Sequence, residues 1–229
     1  MKKLLHSLIL ALLAISAPAV SFSPLQIGLN SPFHTGPGGD ELQLVSPETT
    51  IIGLRLNLPV AFNHDVVGLD VGLFSYADNF SGIRLNLQSW THKTVRGVDV
   101  SLISMGTDYT ELDGIQIAGL GVTAKLRGLQ AGIVSYAATL RGLQIALWST
   151  AGDLCGLQIG LANFADSLQG GIQLGAFNSS LPDPEGGNVR GLQIGLVNYA
   201  RSLHGLQIGL LNIVPNSPFP YLPLLRASF

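Results

Sequence analysis

The chain has 229 residues, of which 47% are hydrophobic and only 11% charged, with 28 glycines, one cysteine and a formal net charge of −2. Ordinary soluble domains carry roughly 25% charged residues, so a surface this poor in charge suits lipid, other copies of itself or a partner better than bulk water. The near-neutral balance and the lack of any basic run exclude an electrostatic nucleic-acid binder, and a single cysteine excludes an internal disulfide.

Met1, Lys2 and Lys3 precede an apolar run from Leu4 to Ile15, followed by Ser16 and Ala17-Pro18-Ala19. A charged start, a short apolar stretch and a small-x-small site read as a secretory signal over residues 1–19. The run of about 12 apolar residues is too short for the ~20 that a spanning helix needs. Residues 20–229 then form a single β-repeat domain. Two weak relatives of its unit, LQIGLN at 25–30 and ELQLVS at 41–46, flank a Gly/Pro-rich loop over 34–40.

Eleven regular copies follow, opening at Gly53, Gly68, Gly82, Gly97, Gly114, Gly128, Gly142, Gly156, Gly171, Gly191 and Gly205. Repetition at a nearly fixed period of 14 residues marks an array of one supersecondary unit. Counting slots from each glycine, slots 2, 4 and 6 are almost always Leu, Ile or Val, slot 3 is Gln, Arg or Asp, slot 8 is usually Asn or Ser, and slot 9 is often aromatic. The alternation of period two predicts a β-strand with one apolar and one polar face. Turn-forming residues gather at slots 11–14, as do length changes, most clearly at 181–188.

Two architectures meet this pattern. One is an antiparallel meander closed into a barrel, which removes exposed edges; the other is a parallel β-solenoid with identical slots stacked. A solenoid rung must reverse at least twice, yet each copy shows one polar turn cluster, and the Arg and Asp copies alternate over about 29 residues like the two strands of a hairpin. With a terminal strand over 221–229, alternating Tyr221, Leu225, Ala227 and Phe229, the chain offers 14 strands, an even number as in bacterial barrels. The barrel is therefore the leading expectation and the solenoid its alternative. Stacked slots would instead make an ion ladder of Arg55, Asp70, Arg84 and Asp99 continuing into an amide ladder of Gln116, Gln130, Gln144, Gln158, Gln173, Gln193 and Gln207. In a barrel the same residues would line the lumen.

The repeats GLQIGLxNxA, the opening SPLQIGLN, the GLRLNLP and GLDVGL copies and the ending YLPLLRASF resemble a bacterial "surface repeat" family of the cell envelope. The terminal strand ending in Phe is also similar to the sorting signal of outer-membrane barrels. The resemblance implies an exported, envelope-associated protein of undetermined molecular function; the barrel reading adds the outer membrane or cell surface as its expected location, with the periplasm as the alternative, and outer-membrane lipid as its expected partner. The resemblance implies no catalytic or ligand-binding residues.

The residues themselves offer no catalytic constellation, metal ligands or cofactor site. His34, His64, His92 and His204 lie in loop or turn slots without HxH or HxxxH spacing. Asn63-His64-Asp65 reads as a polar turn, and Gly36-Pro-Gly-Gly39 lacks the helix and lysine of a phosphate cradle. The expected function is therefore non-enzymatic: structural, or a narrow pore. A surface binding or adhesion platform is the reading that accompanies the solenoid.

Overall fold

A computed structural model describes residues 22–29, 44–180 and 189–228. The expected export signal over 1–19, the Gly/Pro-rich loop over 34–40, the insertion at 181–188 and Phe229 lie outside the described residues. One sheet holds β1 (Phe22–Gly28), β2 (Thr50–Gly106), β3 (Glu111–Leu140), β4 (Leu143–Leu154), β5 (Leu157–Ser180), β6 (Arg190–Ala200), β7 (Gly205–Ile213) and β8 (Tyr221–Ser228), in that spatial order. The expected strand over 41–46 does not form in its described part, Leu44–Ser46.

The sheet is a parallel β-solenoid, and the expected antiparallel barrel is overturned. Pairing from β1 through β7 is parallel throughout, and it places equal slots on one another: Gln26 on Arg55, Asp99 on Gln116, Gln130 on Gln144, Gln144 on Gln158, Gln173 on Gln193 and Gln193 on Gln207. Within β2, which carries four copies in one ribbon, the glycine column shows the same stacking. A Cβ added at Gly68, Gly82 or Gly97 would fall 2.0–2.2 Å from the carbonyl oxygen of the glycine one copy earlier. The alternation of Arg and Asp copies is thus charge pairing between successive turns, not the two strands of a hairpin.

The coil turns three corners per copy, although only one carries polar turn residues. Ladder pairing lapses at slot 6, between the pairs Gly132/Ala146 and Val134/Trp148, and at slot 11, between Ala137/Ala151 and Thr139/Asp153. At slots 6 and 7 two consecutive side chains point outward, as at Leu147 and Trp148, which shifts the alternation by one and bends the strand. The third corner is the slot-1 glycine, whose φ is positive from Gly53 to Gly128. The stacked glycine corner needs no polar loop because its backbone bonds to the next turn. At slot 2, for instance, the Leu157 N–H donates to the Gly142 carbonyl and the Ile172 N–H to that of Gly156.

Three sides follow: slots 2–5, slots 7–10 and slots 12–13. The apolar core comes from slots 10 and 13, and not from the alternating slots 2, 4 and 6. Leu126, Leu140, Leu154 and Leu168 stack along slot 13, with Ala137, Ala151 and Ala165 along slot 10, all fully or nearly fully buried. Full burial of one such leucine stabilises by about 1.5–3 kcal/mol. β8 crosses back antiparallel to β7 and covers the last turn, with its register broken between Gly209 and Asn212 near Pro223.

Candidate functional site

The slot-3 residues form one buried column that fills the interior together with the slot-10 and slot-13 core, so there is no lumen in the described residues for them to line. Arg55 Nη2 donates to Asp70 at 2.6 Å and Arg84 Nη2 to Asp99 at 2.7 Å, both pairs being almost wholly out of solvent. Ser75 also donates to the Asp70 carboxylate, Asn57 supplies its second oxygen with a donor at 2.6 Å, and Arg55 Nη1 reaches the Tyr76 carbonyl at 3.0 Å. Ser89 and Ser104 serve Asp99 in the same way, while the Arg84 guanidinium stands 4.7 Å above the Phe80 ring centre. These polar surroundings make two discrete ion pairs, not a continuous charge ladder.

From Gln116 onward the column becomes a directional amide ladder. Each Nε2 donates to the Oε1 of the copy before, from Gln130 to Gln207, at 2.6–2.9 Å. Gln116 joins it to the ionic part by donating to Ser104 at 2.7 Å. A second ladder runs the opposite way at slot 8, Asn163 to Asn178 to Asn198 to Asn212, at 2.8–2.9 Å. Slot 5 is glycine in all four of these copies, and in the last three the asparagine of the copy before leaves no room for a side chain. A Cβ at Gly175, Gly195 or Gly209 would lie 2.5–2.6 Å from the amide nitrogen of the asparagine one copy earlier. At its C-terminal end the glutamine ladder leaves the Gln207 Oε1 without a donor. Arg226 faces Gln207 but donates to the Phe219 and Pro220 carbonyls instead.

Burial would raise the Asp70 carboxyl, but the charge of Arg55 and the hydrogen bonds from Arg55 and Ser75 outweigh it and hold the group below the ordinary aspartate range. A depressed folded-state pKa means that the stabilisation is present in full above the unfolded value of about 3.9 and is lost as pH falls through the folded one. The urea midpoint is therefore expected to fall on acidification below about pH 4. Asp70→Asn, less stable at neutral pH, should show a shallower acid slope. Equal slopes in the two proteins would remove Asp70 from the acid response.

With the amides inside, the apolar slots face out. Slots 2, 4, 6, 7 and 9 of the eleven copies contain no Asp, Glu, Lys, Arg or His. Their side chains stand partly or largely in solvent, Leu147 at 61%, Leu161 at 59%, Leu210 at 66% and Trp148 at 51%. Ala61 is the exception: its longer copy, after the cis Leu58–Pro59 bond, puts Phe62 in the slot-9 column, stacked 4.8 Å from Tyr76. Tyr76 stacks in turn on Trp90, and Trp148 on Phe164. An open apolar hollow of about 620 Å³ lies over Leu174, Ile194, Ile208, Leu210 and Leu224 on the first side.

Charge is confined to the third side. From Gly53 to Ile213 every charged residue other than the four at slot 3 falls after slot 10 of its copy. Lys125 bonds Glu111 at 2.7 Å. Asp78 gathers Lys93 at 3.1 Å and the Nδ1 atoms of His64 and His92 at 3.2 and 3.0 Å. Burial works to raise the Asp78 carboxyl, and the hydrogen bonds with His92, Lys93 and His64 prevail and lower it. Asn63, part of the expected polar turn, instead points inward toward Arg55, while His64 and Asp65 stay on the third side. Cys155 is exposed on that side as well. Among the described residues no cluster of His, Cys, Asp and Glu is arranged to hold a metal ion.

The sequence singled out the slot-3 column but not the apolar core at slots 10 and 13. The signal that would have found it is the lone Leu, Val or Phe at slot 13, just ahead of the next glycine, in a stretch otherwise made of turn residues. No protein-family model matches the chain, and neither a curated protein nor a solved structure matches it.

Proposed function

We propose that this chain is an exported, non-enzymatic β-solenoid of the bacterial envelope that acts as a docking platform. The observation that carries this reading is the placement of polarity: amides and ion pairs share the interior with the slot-10 and slot-13 core, and an uncharged apolar surface covers two of the three sides. A water-exposed scaffold has no use for such a surface, since soluble monomers rarely expose apolar patches beyond a few hundred Å². The signal-like start and the resemblance to envelope surface-repeat proteins support export and an envelope location, and the rigid ladder interior supports a structural rather than a catalytic role.

The test is a pair of charge substitutions on the corner column. Leu147→Glu with Leu161→Glu changes two largely exposed side chains, so its thermal midpoint should stay close to the parent's, surface changes usually costing within about 0.5 kcal/mol. The parent should be recovered with the cell-envelope fraction and the double variant in the soluble fraction. A variant that folds normally and still sediments with the envelope would refute the platform reading.

A further inference from the structure

We infer that the occupant of the apolar surface is a phospholipid leaflet, into which the solenoid sinks lengthwise with its slot-6 corner leading. This rests on the platform reading and names its partner.

Shape is the first argument. The apolar surface is not one flat face. It covers slots 2 and 4 on one side, wraps the corner at slot 6 and continues through slots 7 and 9 on the next side. A second copy seated on either side would leave the other side in water, whereas a fluid leaflet covers both at once. Eleven turns spaced about 4.8 Å apart extend this wedge to about 50 Å.

The second argument is the position of the amphipathic rings. Tyr76, Trp90, Tyr136 and Tyr199 all occupy slot 9, the last outward position before the charged side, while Trp148 stands at slot 7 nearer the corner. Tyr and Trp favour the level where hydrocarbon meets headgroups. From the slot-6 corner to slot 9 is three residues, about 10 Å along the strand, which matches the 5–10 Å depth reached by interfacial amphipathic segments. The wedge is thus sized for one leaflet and is not a spanning element.

Backbone chemistry permits the immersion. Polar backbone groups in hydrocarbon must be satisfied internally, and here the parallel pairing bonds each turn to its neighbours, while β8 covers the last turn. The four buried charges are paired inside the coil. Lys93, Lys125, Arg127 and Arg141 stay on the third side among Asp78, Glu111 and Asp113. That mixed-sign surface favours no particular headgroup charge, so binding should be similar on neutral and anionic vesicles and insensitive to salt.

The experiment uses the purified chain without its first 19 residues and vesicles of phosphatidylcholine, with or without phosphatidylglycerol. Flotation is read together with quenching by lipids brominated along the acyl chains. Trp148 is isolated by Trp90→Phe; a second protein carries Lys125→Trp with both native tryptophans changed to Phe. The expected result is flotation on both vesicle types, strong quenching at position 148 and at least tenfold weaker quenching at position 125. Leu147→Glu with Leu161→Glu should weaken vesicle binding at least tenfold, and Arg141→Glu should leave it unchanged. If the protein does not float and sedimentation shows a dimer or larger assembly, the lipid inference falls and the platform reading survives. A monomer in detergent-free buffer that does not float overturns both. Equal quenching at positions 148 and 125 also overturns the wedge orientation.

Discussion

Gly128→Ala is expected to lower the unfolding free energy by about 4 kcal/mol, combining strained backbone with overpacking, whereas Gly170→Ala should cost about 1 kcal/mol. Both glycines have positive φ, +145° and +79°, so conformational strain is common to the two. What differs is space. A Cβ at Gly128 would sit 2.1 Å from the Gly114 carbonyl oxygen, while one at Gly170 meets nothing within 4 Å. The crowding is built into the coil, because along this column slot-2 N–H groups donate to the glycine oxygen one copy earlier, as Leu157 does to Gly142. Moving that oxygen away from a new methyl group breaks the bond and opens the ladder on both sides. Denaturant unfolding of the two variants against the parent measures the difference. Similar losses in both would show that left-handed backbone alone, and not the stacking of corner on corner, explains the glycine at every repeat.

That column also shows how much of the fold was legible. The interval between glycines revealed the repeat, and alternation at slots 2–6 correctly gave strand. Alternation cannot say which face is inside, because period two is the same viewed from either side, and the expectation that corners need polar residues pointed to hairpins. In a coil whose corners stack, hydrogen bonds to the next turn replace those polar residues, and a glycine or two outward side chains in succession suffice. The decisive clue was slot 13. Leu140 and Leu154, set among Thr139, Arg141, Asp153 and Cys155, resemble stray residues in a turn until a third side is admitted. The interior left a subtler trace in slots 5 and 8, where every slot-8 Asn comes with a slot-5 Gly, at 160/163, 175/178, 195/198 and 209/212. The outward wedge was legible only as missing charge, since composition reports how much apolar surface must be covered and not by what.

Arg84→Gln and Asp99→Gln are each expected to destabilise by about 3–5 kcal/mol, because removing one member of a buried pair strands the other charge. Asp99 without its arginine would keep only the hydroxyl donors of Ser89 and Ser104, at 3.2 and 2.6 Å. Arg84 without its aspartate would keep Thr91 and the Phe80 ring. The two changes together should cost only about 1–2 kcal/mol, roughly the value of the cation–π contact that is lost. The reason is that the same column already accommodates amides at the same spacing, Gln144 on Gln130 at 2.8 Å and Gln158 on Gln144 at 2.9 Å. In the double variant the Gln116 amide can turn from Ser104 to the new oxygen at position 99, that amide can donate to position 84, and the amide there to the Asp70 carboxylate. The ladder would then run unbroken from Gln207 to Asp70. The coupling energy implied, at least about 4 kcal/mol, lies beyond the usual range for neighbouring residues and is measurable by a double-mutant cycle in urea. If the double variant loses the sum of the single losses, the ionic and amide halves of the column are not interchangeable, and the Arg and Asp residues hold a geometry that glutamine cannot.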